Sequence, residues 1–196
     1  MPRKALTQID IESFRVTFCE MAYELYELAG YDAVTMRGIA KALGCSPMMA
    51  YRYFENKEDV FASLRAIQFH RLAQTLEEVS VTLPPIEYLR ELAKVYAAFA
   101  QQKPHAYRLL YVIPIHQAKS YPKVVLAQER TQSVLFGATR QLVDSGDIEG
   151  DPVLLAHTLW ASIHGLVSLD LANQLTQGAR FEELFPAMLD FIIRSR

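Results

Sequence analysis

Between its prolines and glycines the chain repeats its apolar residues at intervals of three and four rather than in alternation, a spacing that admits helices and excludes a sheet. An all-α protein is expected. Breaks fall at Gly30, Gly44, Pro84 and Pro85, Lys103 and Pro104, near Pro114, at Tyr121 and Pro122, Ser145 and Gly146, Asp151 and Pro152, and Gly178. They delimit about nine helices. Three in the first 55 residues would form one domain, 1–55, and six a larger bundle, 56–196. No linker separates the two, so the long helix from Asn56 to about Ser80 should serve both.

The 196 residues can bury a real core, because 51% are apolar and 21% charged; Gly 8 with Pro 9 is too little for a disordered or collagen-like chain. With 20 basic against 22 acidic residues the formal charge is -2, so nucleic acid would have to be met by a local patch. Cys19 and Cys45 are embedded in helical patterns, too few for a disulfide framework or a zinc site, and fit a reducing interior. Met1, Pro2, Arg3 and Lys4 run straight into polar residues, and no stretch approaches the ~18 apolar residues of a membrane span. A cytoplasmic protein with no membrane partner is expected.

The first helix is read as starting at Thr7, a cap with Asp10 three residues on. It then places Ile11, Phe14, Phe18, Ala22, Leu25 and Ala29 on one face before Gly30 stops it. A short helix over 35–43 follows. Gly44 and Cys45 then lead to Ser46 and Pro47, an N-cap with proline at the first helical position, and a second short helix ending near Phe54. Asn56 caps the next helix, with Glu58 and Asp59 in its first turn. Met36, Ile39, Ala40 and Leu43 give one short helix a narrow apolar face, and Ala50 and Phe54 the other, which is helix-turn-helix spacing. Facing away are Arg37 and Lys41, four apart, then Pro47, Met48, Tyr51 and Arg52. That edge is basic and aromatic, although any three short helices need a glycine turn and carry solvated charges.

Gly30 and Tyr31, Thr35, Ile39 and Ala40, Leu43 and Gly44, Ser46, Tyr51, Tyr53 and Phe54, and Asn56, Lys57 and Glu58 together resemble the DNA-binding domain of the TetR family of transcriptional repressors, over residues 10–60. The resemblance implies that Thr35 caps the second helix and that Arg37 contacts a base or a phosphate. It implies a recognition helix over 47–53 and a phosphate contact by Lys57. Lys and Arg neutralise phosphates, a tyrosine hydroxyl can donate to one, and a helix start at Asn56 and Lys57 offers free N–H groups to the same anion. The expected DNA contacts are Thr35, Arg37, Lys41, Ser46, Pro47, Met48, Met49, Tyr51, Arg52, Tyr53 and Lys57. The chain departs from the family pattern where Met48 and Met49 replace the common glycine and threonine, and Ala50 the common leucine. These methionines either contact thymine methyls, with Arg37 reading a guanine, or fill gaps against the first helix.

Farther along, 151–175 is apolar on nearly all sides and reads as a helix buried against more than one neighbour. Its small residues Ala161, Gly165, Ser168 and Ala172 would let another helix approach closely. The last segment supplies Phe181, Leu184, Phe185, Met188, Leu189 and Ile192. Both helices either pack within one chain or form a four-helix homodimer interface through Ala161, Gly165, Ser168, Ala172, Phe181, Phe185, Met188 and Ile192, as the resemblance also implies. Trp160, His164 and Gly165 are similar to the tryptophan-histidine-glycine signature of one group of TetR C-terminal domains. His157 and His164 lie seven apart, but a metal needs three or four ligands, and a histidine satisfied by hydrogen bonds is the simpler reading. Phe69, Tyr96, Phe99, Tyr107, Tyr111 and His116, with Trp160 and His164, are the expected lining of a small-molecule pocket. Each aromatic could equally be core.

The leading expectation is a ligand-responsive transcriptional regulator, acting as a repressor. A homodimer binds a palindromic double-stranded DNA operator, a small apolar effector releases it, and no metal, cofactor or catalytic residue is required. Two other classes stay open: a helical-bundle enzyme or carrier that uses the histidines, and a helix-turn-helix scaffold for a protein partner. The chain has no GxSxG motif and no phosphate-cradling loop before a helix. The first 60 residues carry 7 basic and 9 acidic side chains, unusual for a DNA-binding module, with Glu20, Glu24 and Glu27 expected to face away from the duplex.

Overall fold

A computed structural model describes residues 8–113 and 121–194. The described residues form nine helices: α1 (Gln8–Ala29), α2 (Met36–Ala42), α3 (Pro47–Ala50), α4 (Lys57–Glu77), α5 (Pro85–Gln102), α6 (Pro104–Tyr111), α7 (Pro122–Asp144), α8 (Pro152–Leu171) and α9 (Phe181–Arg194). Five of them open on proline, whose missing N–H and fixed φ suit the first helical position. Thr7 and His116 lie outside the described residues.

The chain divides into two compact units, one of Met1–Gln68 with Arg108–Leu126, the other of Phe69–Tyr107 with Ala127–Arg196. In the first, Phe18, Cys19, Ala22 and Tyr26 of α1 share a core with Met36, Ile39, Ala40, Ala50 and Phe54, and with Val60, Phe61 and Leu64 of α4. The buried face of α1 therefore swings to Tyr26 in its last turns, and Ala29, expected on that face, is exposed. Gly30 ends the helix at φ +79, and its N–H donates to the Tyr26 carbonyl at 2.9 Å.

In the second unit α8 packs on α5 and on α9. Asp151 caps α8, accepting from the Val153 N–H at 2.7 Å. Although α8 is apolar nearly all round, only Ala156, Leu159, Ile163 and Val167 are buried, while Val153, Leu154 and Leu169 are exposed. Two neighbours within one chain thus cover one stripe of α8 and leave other apolar residues in solvent. By length and composition α8 is also apolar enough to cross a membrane, contrary to the expectation that no stretch comes close. Counting uninterrupted apolar residues overlooks a helix whose polar members, such as His157, Ser162 and His164, are spread along it.

The unit is tied further by polar pairs. Arg130 grips Glu77 with both guanidinium arms, at 2.8 and 2.5 Å, and holds that carboxyl below its ordinary range. Arg90 meets Asp190 at 2.5 Å, and Thr131 donates to the Phe69 carbonyl at 3.1 Å.

Candidate nucleic-acid interface and C-terminal polar chain

The Thr35 hydroxyl accepts the Gly38 N–H at 3.0 Å and so starts α2; the Ser46 hydroxyl accepts the Met49 N–H at 3.3 Å and starts α3, with Pro47 at its first position. Each such cap stabilises a helix by about 1 kcal/mol, which matters for helices too short to stand alone. Between them Gly44, at φ +66, reverses the chain while the Cys45 N–H reaches back to the Ala40 carbonyl at 2.9 Å. This closure requires the left-handed conformation that glycine adopts without strain. The regular part of α3 is one turn; residues 51–53 continue as a turn, so the helix is shorter than the 47–53 expected.

One edge of this pair is thereby presented to solvent. Arg37 and Lys41 of α2 are exposed, and so are Pro47, Met48, Met49, Tyr51 and Arg52. From 35 to 54 the sequence holds three basic residues and no acidic one, so the edge is locally positive in a chain of net charge -2. Met48 is 79% exposed, which excludes its use as a gap-filler against α1. Tyr53 is half-buried: its ring lies 4.5 Å from that of Phe14, and its carbonyl accepts from Arg15.

Lys57 sits differently from the other cations. Its ammonium donates to the Tyr31 carbonyl at 2.5 Å and lies 3.8 Å from the Tyr31 ring centroid, and burial lowers its pKa. Asn56 accepts the Asp59 N–H at 3.0 Å and caps α4, while Asp59 accepts the N–H of Glu55, the residue before the cap, at 3.1 Å. Asp59 also faces Arg15 at 3.8 Å. Arg15 covers the Phe54 ring at 4.2 Å.

In the second unit four of the expected pocket residues form one hydrogen-bonded chain. Trp160 Nε1 donates to the Tyr96 hydroxyl at 3.4 Å, Tyr96 to the Tyr107 hydroxyl at 3.2 Å, and Tyr107 meets His164 Nδ1 at 2.5 Å. The Tyr107 oxygen accepts from Tyr96; a neutral His164 with its proton on Nε2 accepts from the Tyr107 hydroxyl, and the other tautomer donates to it. Burial pushes the His164 pKa below 6.5. Phe69 and Phe99 are buried in the same unit; Tyr111 is half-buried and belongs to the other. His157 is exposed, its ring 5.2 Å from that of Phe136. Among the described residues no group of three His, Cys, Asp or Glu side chains could hold a metal.

A histidine with a depressed folded pKa leaves the unfolded chain to take the proton first. Its contribution to stability is therefore intact above pH 6.5 and is lost as the pH falls toward the folded value. Parent protein and His164→Asn should thus differ in the slope of unfolding midpoint against pH below 6.5, the parent falling more steeply. Equal slopes would dismiss a buried neutral His164.

Of the expected interface residues, Ala161 and Ala172 are exposed, and Gly165, Ser168, Met188 and Ile192 half-buried; Phe181 and Phe185 are buried within the chain and stack on each other at 5.2 Å. Two buried polar residues on α4 have no sequence signature. Arg65 donates from Nε to the Leu109 carbonyl at 2.9 Å and from Nη2 to that of Ile113. Gln68 is 1% exposed, and its Oε1 accepts no hydrogen bond among the described residues.

Capped short helices joined by a glycine turn, set on a small core and edged with exposed cations, define a helix-turn-helix regulator. A family model described as bacterial regulatory proteins, tetR family, matches residues 19–64, and one described as tetracyclin repressor-like, C-terminal domain, matches residues 89–192. The chain belongs to the TetR family of transcriptional regulators and is not an enzyme. No match is found among the curated proteins. Solved structures of similar fold include a protein of unknown function from Rhodococcus sp. RHA1, 24% identical, with a TM-score of 0.78 over 99% of this chain and 97% of that one. Another is the TetR family transcriptional regulator PfmR from Thermus thermophilus, 22% identical, with a TM-score of 0.67 over 90% and 97%. A third is the transcriptional regulator FadR from Bacillus subtilis in complex with stearoyl-CoA, 19% identical, with a TM-score of 0.73 over 92% and 98%. At these identities the likeness is one of fold.

Proposed function

We propose that this regulator represses transcription by binding a palindromic DNA operator as a homodimer, and that a small apolar effector held by its C-terminal unit releases it. The observation that carries the reading is the exposed edge of Arg37, Lys41, Tyr51 and Arg52, with no carboxylate between 35 and 54. These side chains meet phosphates and base edges; Lys57 joins them by exchanging the Tyr31 carbonyl for a phosphate. Large apolar residues left exposed on α8 and α9, Leu154 and Phe191 above all, support a two-fold dimer through those helices. Such a dimer spans half-sites about 34–36 Å apart or a multiple of it.

The effector lies against Tyr96, Tyr107, Trp160 and His164, where aromatic surface and a few placed polar atoms suit an apolar molecule with a polar group. FadR from Bacillus subtilis, solved with stearoyl-CoA, lends support to an acyl compound. A differential contact of about 1–3 kcal/mol, roughly 5–150-fold in operator affinity, suffices for control. The protein acts where its DNA lies, in the cytoplasm.

The test is a mobility shift of two-fold symmetric fragments from around its own gene, across a salt series. Binding should weaken steeply with salt, and Arg37→Ala and Arg52→Ala should each lower the logarithmic slope by about 1. Both side chains are exposed, so neither change threatens the fold. Retention indifferent to salt and to both substitutions would favour a protein-binding scaffold.

A further inference from the structure

The exposed part of α3 holds no side chain able to make a forked pair of hydrogen bonds. Pro47, Met48 and Met49 face outward and Ala50 is buried; beyond the helix Tyr51 brings a single hydroxyl, and the forked guanidinium of Arg52 comes from the following turn, not from α3. The Ser46 hydroxyl oxygen accepts the Met49 N–H, and its own single O–H is no fork. Reading a guanine or an adenine by hydrogen bonds takes the two-pronged geometry of Arg, Lys, Asn or Gln, and α3 has none of these. The apolar feature among base edges in the major groove is the C5 methyl of thymine. Met48 is an unbranched, polarisable side chain kept in solvent on the positively charged face, and the cations Arg37, Lys41 and Arg52 make a duplex the occupant that fits there.

We propose that Met48 is a specificity-determining residue that recognises thymine by its C5 methyl group, so that α3 reads the presence of a methyl rather than a hydrogen-bonding pattern. The inference rests on the operator-binding reading above. It implies that a 5-methylcytosine·guanine pair at the contacted position substitutes for thymine·adenine.

The full-length protein is used to select duplexes from a pool randomised over about two helical turns. The best-bound duplex is then remade with deoxyuridine in place of each thymidine in turn, which removes the methyl and leaves the hydrogen-bonding groups unchanged. At the contacted thymine the loss should be about fourfold, the worth of one buried methyl group. Placing 5-methylcytosine·guanine there should return binding to within about twofold of the original, on the same scale. With Met48→Ala the thymidine-to-deoxyuridine ratio at that position should collapse to about 1, while the salt slope set by the cations stays as it was. The proposal fails if no thymine shows the loss, if unmethylated cytosine binds as well as 5-methylcytosine, or if Met48→Ala leaves the ratio intact. If no duplex is enriched and retention ignores salt, the operator-binding reading itself fails with it.

Discussion

Phe54→Ala should lower the unfolding midpoint by roughly 6–20 °C and abolish selective DNA retention, as followed by circular dichroism and mobility shift. Phe54 is fully buried, stacks on Phe18 with ring centroids 5.1 Å apart, and carries the Arg15 guanidinium over its face. Removing a buried aromatic ring costs about 3–5 kcal/mol, a large share of the ~5–15 kcal/mol that holds a typical domain together. The loss is also local, because Phe54 anchors the turn that follows α3 to α1. Met48→Ala, a few residues away but solvated, should move the midpoint hardly at all. A Phe54→Ala protein as stable as the parent would show that the edge is held by its caps alone.

Arg65→Met is the second large effect. Arg65 is 8% exposed and meets two backbone carbonyls at the end of α6, where the last turn leaves acceptors without helical donors. The Ile113 N–H goes to the Arg108 carbonyl at 3.0 Å, so among the described residues Arg65 is the donor to the Leu109 carbonyl. Methionine fills much of the space but takes from both oxygens the donor that Arg65 gives them among the described residues. At about 1–3 kcal/mol for each unsatisfied group, a loss on the order of 3 kcal/mol is expected. Arg65→Lys should recover only part, since one ammonium cannot copy the rigid fork. Urea unfolding at constant slope measures both; a methionine variant within about 0.5 kcal/mol of the parent would remove Arg65 from the supports of α6.

Most of the architecture could be read from residues that punctuate helices. Ser46 and Asn56 cap where the sequence places caps, and proline opens five helices, because these signals act on the few residues beside them. What escaped depends on partners far along the chain. Tyr26 displaces Ala29 from the α1 core because α1 meets Phe61 there, ring edge to face at 5.8 Å. Arg65 answers backbone carbonyls, which no side-chain pattern announces. Trp160, Tyr96, Tyr107 and His164 were each legible as aromatic or polar, but their union in one hydrogen-bonded chain required the packing of three helices. The breadth of apolar residues on α8 announced more than one neighbour, α5 and α9, but not that Val153, Leu154 and Leu169 stay exposed, since sequence does not say whose surface covers each side chain.

The confinement of positive charge has a kinetic consequence. With +3 in residues 35–54 and -2 for the chain, everything else sums to -5, so that stretch has the sign opposite to the rest taken together. Collisions made the wrong way round are then rejected early, and few are wasted on adhesion elsewhere. If the proposed operator binding holds, the molecule trades a strong general hold on DNA for arriving already turned to face it.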